Sequence, residues 1–230
     1  MLVERILIEE RLAEPVGHRR LLTIGSILHF AQGGDTVWGS GINGKYREIP
    51  AVPRLDVRAV RGPLTRDALV CLGQDVPEVF GDPALLIGKY FPRSAYLRPN
   101  INRSRTAIVP NLHDWRHFSG DPRAVNPRWP VHRVLARIAN SSLVVGSSLH
   151  GIIVAESFGI PARPMISRSE PRFKYEDYYL GTGRALPVLA ASVDQAVELG
   201  GVDAPSFSFL ELRESFPRDL WSCSTDPRLP

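Results

Sequence analysis

The sequence contains little cysteine, little lysine and no long apolar run. Its two cysteines, Cys71 and Cys223, stand far apart in 230 residues, which argues against a disulfide-stabilised secreted scaffold and against a cysteine metal site. No apolar stretch approaches the roughly 18 residues of a membrane-spanning helix. Residues 1–15 mix Glu and Arg with apolar side chains, unlike a signal peptide. The composition therefore predicts a cytoplasmic protein.

Arginine carries almost all of the positive charge. The formal net charge is +4 and the pI about 9.3, and the only lysines are Lys45, Lys89 and Lys174. There is no dense basic run and no standard nucleic-acid-binding signature, so we expect no nucleic acid partner. Because the planar guanidinium group pairs well with carboxylate and phosphate, this composition favours a small anionic substrate.

Short apolar runs alternate with helical patterns along the chain. Strand, helix, strand in that order indicates parallel sheets, so the predicted fold class is α/β with two Rossmann-like halves. The halves span residues 1–92 and 106–204, with a Pro- and Arg-rich linker over 91–105 and a Ser- and Pro-rich tail over 205–230 that wraps the surface or frays. The predicted strands are 21–26, 36–42, 55–60, 106–110, 143–146 and 162–167, with another begun at 79 and broken at 81–83; the predicted helices begin at 63, near 131 and at 149.

The turn at residues 146–151 (GSSLHG) is the strongest local feature. It joins a predicted strand to a predicted helix, and a helix N-terminus favours an anion. His150 in the first helical turn could bind a carboxylate or phosphate, or donate a proton. On residue types alone, a capping turn with a structural histidine explains the pattern equally well.

Two more candidates follow predicted strands. Arg61 ends one strand at the carboxyl edge of the sheet, where ligands of open α/β folds bind. Its alternative is a solvated cluster with Arg58 and Arg66. Asp82, in a Gly-Asp-Pro turn, could accept a proton from a sugar hydroxyl. An ordinary Asp-Pro turn is the alternative there.

The segment 172–179 (RFKYEDYY) mixes cations, carboxylates and aromatic rings. We expect a loop in which rings stack on a sugar while charged groups bind its hydroxyls. An interaction surface or a packed loop explains the composition nearly as well.

Five stretches in register resemble the polysaccharide pyruvyl transferases, and most closely their exopolysaccharide ketal-forming branch. They are residues 23–30 (TIGSILHF), 35–42 (DTVWGSGI), 60–66 (VRGPLTR), 80–86 (FGDPALL) and 147–161 (SSLHGIIVAESFGIP), in the order of the family. The resemblance covers roughly residues 20–185. It implies a fold similar to the two-domain B-type glycosyltransferases, with substrates bound between the halves.

The resemblance also implies an activity and a set of site residues. Family members move enolpyruvate from phosphoenolpyruvate to a sugar, release phosphate and usually leave a cyclic ketal. By carry-over, Arg61 binds the donor and His150 matches the histidine of the family motif. The chemistry of an enol ether then predicts His150 as the acid and Asp82 as the base. No metal or cofactor is needed on this account. The expected acceptor is a sugar or a lipid-linked oligosaccharide. Peripheral contact of the protein with the inner face of the cell membrane is compatible with such an acceptor. The remaining substrate-binding candidates are Ser147, Ser148, Gly151, Arg172 and Lys174.

The sequence departs from the family pattern at three positions. Gly62 stands where many members have Asp, and Ser148 where some have a second anion-binding arginine, a role that Arg172 or Lys174 would then take. Members also begin with a strand and an Asn-x-Gly-Asp loop, whereas residues 1–5 resemble the helix after that loop. The resemblance thus predicts an N-terminal half without its first strand, in a trimmed chain or one whose true start lies upstream.

Two other functions stay open at this point. One is a B-type glycosyltransferase that uses a nucleotide sugar, because residues 156–161 (ESFGIP) resemble the stretch that holds the donor ribose in those enzymes. The other is a truncated, non-catalytic relative that binds sugars or partner proteins.

Overall fold

The computed structural model describes residues 1–45, 54–98, 106–206 and 209–223. Helices and strands alternate along this part of the chain, as the sequence predicts for an α/β fold. In chain order the elements are α1 Leu2–Glu9, β1 Leu12–Pro15, β2 Leu21–Leu22, β3 Thr36–Trp38, β4 Asp56–Ala59, α2 Pro63–Cys71, α3 Ile87–Tyr90, β5 Thr106–Ile108, α4 Val131–Ala139, β6 Leu143–Gly146, α5 Leu149–Ser157, β7 Ala162–Pro164, α6 Phe173–Gly181, α7 Val193–Leu199, α8 Leu210–Glu214 and β8 Trp221–Cys223.

Two three-stranded parallel sheets form the framework. The first has the order β2-β3-β4 and the second β5-β6-β7. This confirms an α/β fold with parallel sheets, whereas the division into halves at 1–92 and 106–204 stays a prediction. Several strands are shorter than predicted, because residues 23–26 and 39–42 contain the glycines and serines at which the chain turns away from the sheet. Their polar groups therefore lie at the carboxyl edge, where ligands of such sheets bind.

The unit β6-α5-β7 forms as predicted. Ser148 caps α5, its hydroxyl accepting the N–H of Gly151 at 3.2 Å. The helix is mostly apolar and, apart from His150 and Ser157, its side chains are buried. Gly159 follows it with a φ of +66°, a conformation that favours glycine at a helix end.

The strand predicted to begin at 79 is reduced to a single bridge, and the chain leaves it at residues 81–83 as predicted. Phe80 makes only one parallel bridge, to Val60, and the chain then forms a 3₁₀ helix at Pro83–Leu86 followed by α3. The cause is local, because Asp82 accepts the N–H of Ala84 at 2.9 Å and so starts a helical turn. Of the predicted linker, residues 99–105 lie outside the described residues, and 93–96 form a 3₁₀ helix.

The C-terminal segment is more ordered than the predicted tail. It returns to the first half, where β8 pairs with β1, and the indole N–H of Trp38 donates to the carbonyl of Leu212 at 2.8 Å. Phe216 packs edge-on against Trp38 and stacks on Trp221. These aromatic and aliphatic contacts, which a Ser- and Pro-rich composition does not reveal, fix the segment. Residues 207–208 and 224–230 lie outside the described part.

A glycine in α3 allows the helix to approach α5 closely. A Cβ at Gly88 would stand 1.9 Å from the carbonyl oxygen of Ser157. Alanine normally favours a helix over glycine by about 1 kcal/mol, but here we expect Gly88→Ala to destabilise the fold by about 1–3 kcal/mol through overpacking. The check is urea unfolding, with Gly120→Ala, whose Cβ meets no atom within 4 Å, as the control expected within about 0.5 kcal/mol. A stabilised Gly88→Ala variant would contradict the close approach.

Candidate active site between the two sheets

Asp82 and His150 meet where the two halves face each other. Asp82 follows the last bridge of the first sheet, and His150 lies in the first turn of α5 in the second. His150 Nε2 stands 3.4 Å from Asp82 Oδ2, and both atoms are buried without a hydrogen-bond partner within the described residues. The Asp82 side chain is fully enclosed, whereas 40% of the His150 side chain is exposed. A carboxylate beside a partly open imidazole is suited to proton transfer.

The turn that precedes His150 is held mainly by internal contacts. A Cβ at Gly151 would lie 2.5 Å from Val109 Cγ1, so this glycine allows α5 to pack against the end of β5. The backbone N–H of Gly151 donates to the hydroxyl of Ser148. The carbonyl of Ser147 accepts the hydroxyl of Tyr175 at 2.6 Å. The turn therefore fixes the position of His150, while direct contact of Ser147, Ser148 and Gly151 with a substrate stays a prediction.

Arg61 is buried rather than solvated, which rules out the solvated cluster for this residue. It is fully inaccessible, and its Nε and Nη2 contact Asp177 Oδ2 at 3.0 and 2.9 Å. Its Nη1 donates to Ser26 Oγ and its Nη2 to the carbonyl of Ile42. The Arg61–Asp177 pair thus joins the edge of the first sheet to α6. Contact between Arg61 and a donor stays a prediction, and it would require the donor to replace Ser26.

The prediction of a loop at 172–179 is wrong, because Phe173–Gly181 forms α6. Tyr175, Tyr178 and Tyr179 stand at positions i, i+3 and i+4, which places them on one face of the helix, and that face is buried. The composition alone does not reveal this, since the buried residues are polar-tipped aromatics. Tyr178 and Tyr179 therefore pack in the core rather than on a sugar.

The two cations predicted in this segment differ in position. Arg172 is 67% exposed and stands 3.9 Å from Glu176. Among the described residues it makes no ion pair with Asp82. Lys174 is buried, and its Nζ donates to Glu170 Oε2 at 2.9 Å. Burial lowers the pKa of the Lys174 ammonium, and the positive charges of Arg61 and Lys45 lower it further, although Glu170 opposes this.

Glu170 forms a second link between the halves. Its Oε1 accepts Lys45 Nζ at 2.5 Å, and its Oε2 accepts Lys174. Burial opposes ionisation of this carboxyl, but the hydrogen bonds from the two lysines outweigh it, so the pKa of Glu170 lies below its ordinary value. Lys45, Lys174 and Arg61 thus face two carboxylates, Glu170 and Asp177, which leaves an excess of one positive charge in this group.

A serine cluster lies at the carboxyl edge of the second sheet, and of its members the sequence predicted only Ser147 as a site residue. Asp114 is its buried centre, and hydrogen bonds from Asn111 and Ser167, at 2.7 and 2.8 Å, reach its Oδ2. Burial raises the pKa of Asp114, but the hydroxyl and amide donors together outweigh it, so the pKa is lowered. A signal was present, because these residues follow three predicted parallel strands. The cluster comprises Asn111, Asp114, Ser147, Ser167 and Ser169.

The described residues contain neither a metal-binding cluster nor a membrane-spanning helix. No group of three or more His, Cys, Asp or Glu residues among those described is arranged to hold a metal ion. Within these ranges, no helix combines the length and the apolar character needed to cross a membrane.

Comparison with known families places these residues in context. Residues 17–169 match the polysaccharide pyruvyl transferase family. The chain belongs to this family. The match includes Arg61, Asp82 and His150, and ends before α6. The resemblance found from the five sequence stretches is thereby confirmed.

One curated relative is the succinoglycan biosynthesis protein ExoV of Rhizobium meliloti (strain 1021). It is 29% identical over 151 residues, which is 62% of this chain and 46% of that protein. This family member thus matches about half of the relative's length. No solved structure matches the chain significantly.

Proposed function

We propose that this chain transfers the enolpyruvyl unit of phosphoenolpyruvate to a sugar of an exopolysaccharide precursor, forming a ketal and releasing phosphate. Family membership supports the transferase class. The observation that carries the proposal is the approach of Asp82 and His150, which follow strands of different sheets and stand 3.4 Å apart. We also propose that the two halves correspond to those of a B-type glycosyltransferase fold.

The proposed reaction begins with proton transfer to the donor. Protonated His150 delivers its proton to the methylene carbon of phosphoenolpyruvate, which becomes a methyl group, and positive charge develops at the adjacent carbon. A sugar hydroxyl forms a C–O bond to that carbon while Asp82 accepts its proton. His150, 40% exposed, is placed to reach a bound donor, whereas Asp82 is enclosed, so the acceptor hydroxyl must open the contact between Asp82 and His150 to deliver its proton.

Loss of phosphate completes the ketal. A second hydroxyl of the same sugar attacks the same carbon as its bond to the phosphate oxygen breaks. The proton of this hydroxyl returns to His150, and the proton held by Asp82 leaves with the phosphate. Both residues thereby recover their starting states. Positive charge from Lys45, Lys174 and Arg61 would favour the departing anion.

The serine cluster suits the acceptor. Its hydroxyl and amide groups lie at the edge of the second sheet. Ser147 stands three residues before His150, and the side-chain amide of Asn111 donates to the hydroxyls of Ser147 and Ser167. Such groups both donate to and accept from sugar hydroxyls. We therefore assign the acceptor to this edge and the donor to the side of the cationic groups.

The nucleotide-sugar alternative is disfavoured by Glu156. Its carboxylate is buried and accepts the hydroxyl of Tyr178 and two nitrogens of Arg184. Burial raises the pKa of Glu156, with Arg184 opposing. A side chain held in this way is not available to a ribose, so the stretch 156–161 is explained by packing.

The experiment that tests the proposed function is a phosphate-release assay. Purified protein is incubated with phosphoenolpyruvate and a panel of bacterial surface oligosaccharides. We expect phosphate release only when an acceptor is present, with a mass increase of about 70 Da on that acceptor for each ketal, which follows from adding the pyruvyl unit and losing water. Release of nucleoside diphosphate from a nucleotide sugar instead would contradict the proposal.

A further inference from the structure

Positive charge is concentrated in one stretch of the chain. Residues 91–155 contain nine arginines and two aspartates, a net charge of +7 in a chain whose total is +4, so the rest of the chain carries −3. No Asp or Glu occurs over 91–113 or 122–155. Such an asymmetry marks a surface that attracts anions.

Three of these arginines, together with His132, line one pocket beside α4. The pocket has a volume of about 630 Å³, within the roughly 300–1,000 Å³ of small-molecule sites. It contains no carboxylate in its lining, and none of the four makes an ion pair with any residue in the described ranges. It shares no lining residue with the Asp82–His150 site. The four are Arg98, His132, Arg133 and Arg137.

The pocket is built rather than merely exposed. Arg133 lies over the ring of Trp129 at 3.9 Å, which fixes the guanidinium plane against an aromatic wall. Arg137 Nη2 donates to the carbonyl of Pro122 at 2.8 Å. The buried Asn140 accepts the backbone N–H of Arg98 at 3.0 Å, which holds Arg98 beside the end of α4.

We propose that this arginine pocket is a second anion site, which binds a phosphate- or diphosphate-bearing ligand. A guanidinium group without a carboxylate partner can donate two parallel hydrogen bonds to the oxygens of a phosphate. Trp129 gives the organic part of such a ligand an apolar face to contact. The phosphate comes either from a soluble compound or from a lipid headgroup.

The first test is a titration with inorganic diphosphate, followed by tryptophan fluorescence. Trp129→Phe identifies the part of the signal that arises in the pocket. We expect saturable binding, weakened about tenfold or more in Arg133→Gln and in Arg137→Gln, since each loses a charge-assisted contact. Arg128→Gln makes the same charge change on an exposed residue outside the pocket lining and should weaken binding less than about twofold.

A second arm separates the two sources of phosphate. Vesicles of phosphatidylcholine alone and with phosphatidylglycerol are sedimented with the parent protein and the same variants. Sedimentation that needs the anionic lipid and is lost in Arg133→Gln indicates a lipid source, and diphosphate binding without sedimentation indicates a soluble one. His150→Gln should bind both probes normally, so this site is tested independently of the transferase activity.

Two results would overturn the proposal. One is an equal loss of diphosphate binding in Arg128→Gln and Arg133→Gln, which would show that the overall positive charge of this surface, and not the pocket, attracts the anion. The other is no binding of diphosphate or anionic vesicles by the parent at millimolar concentration. Urea unfolding of each variant shows that the fold is kept, as expected for side chains at the surface.

Discussion

Replacing His150 with glutamine is expected to lower the rate of pyruvyl transfer by about 10²- to 10⁴-fold, the usual contribution of a positioned general acid. Glutamine keeps the approximate size and polarity of the side chain but cannot deliver a proton. Since 40% of the His150 side chain is exposed and its Nε2 has no hydrogen-bond partner among the described residues, the substitution should leave the fold intact. The measurement is steady-state phosphate release at saturating donor and acceptor.

The partner residue sharpens this test. Asp82→Asn should cause a loss of similar size, and the double variant should be little worse than either single one, because the two residues act in one proton cycle. The matched control is His18→Gln, an exposed histidine outside the site, with activity expected within about twofold. Additive losses in the double variant would show that Asp82 and His150 do not work together.

Breaking the Arg61–Asp177 pair is expected to have the largest effect on stability. Both side chains are fully buried, and Asp177 also accepts the backbone N–H and hydroxyl of Thr65 at 2.9 and 2.7 Å. Asp177→Asn leaves the guanidinium charge of Arg61 enclosed without a counter-ion. The expected loss in the free energy of unfolding is about 3–5 kcal/mol. The measurement is urea unfolding at neutral pH.

An exposed pair on the same helix provides the control. Arg172 and Glu176 are 67% and 44% exposed and stand 3.9 Å apart, so Glu176→Gln should cost no more than about 1 kcal/mol. If Asp177→Asn unfolded at the same urea concentration as Glu176→Gln, the pair would not hold α6 to the first half. In that case Arg61 would be free to serve the donor alone.

The sequence predicted the parallel sheets because each strand is a short apolar run followed by a helix signal. The clearest case is β6-α5-β7, where Ser148 and Gly159 mark both ends of the helix. The pairing of Asp82 with His150 was not predicted as a contact. Both residues follow strands, but they belong to different halves, and no local pattern fixes how two halves face each other.

The errors also have local physical causes. The 172–179 segment was predicted as a loop because its charged residues mask a helix that buries its aromatic rings, and even Lys174 and Asp177 are buried there through ion pairs. Arg61 was considered only as a solvated or ligand-binding residue. Its partner Asp177 lies 116 positions later, so the buried ion pair depends on tertiary structure alone.

Calorimetric titration with phosphoenolpyruvate tests the central claim most directly. The parent chain is compared with His150→Ala, with a nucleotide sugar titrated in parallel. The account predicts micromolar binding of phosphoenolpyruvate by the parent, loss of that binding in His150→Ala, and no binding of the nucleotide sugar. Binding of the nucleotide sugar but not of phosphoenolpyruvate by the parent would contradict it.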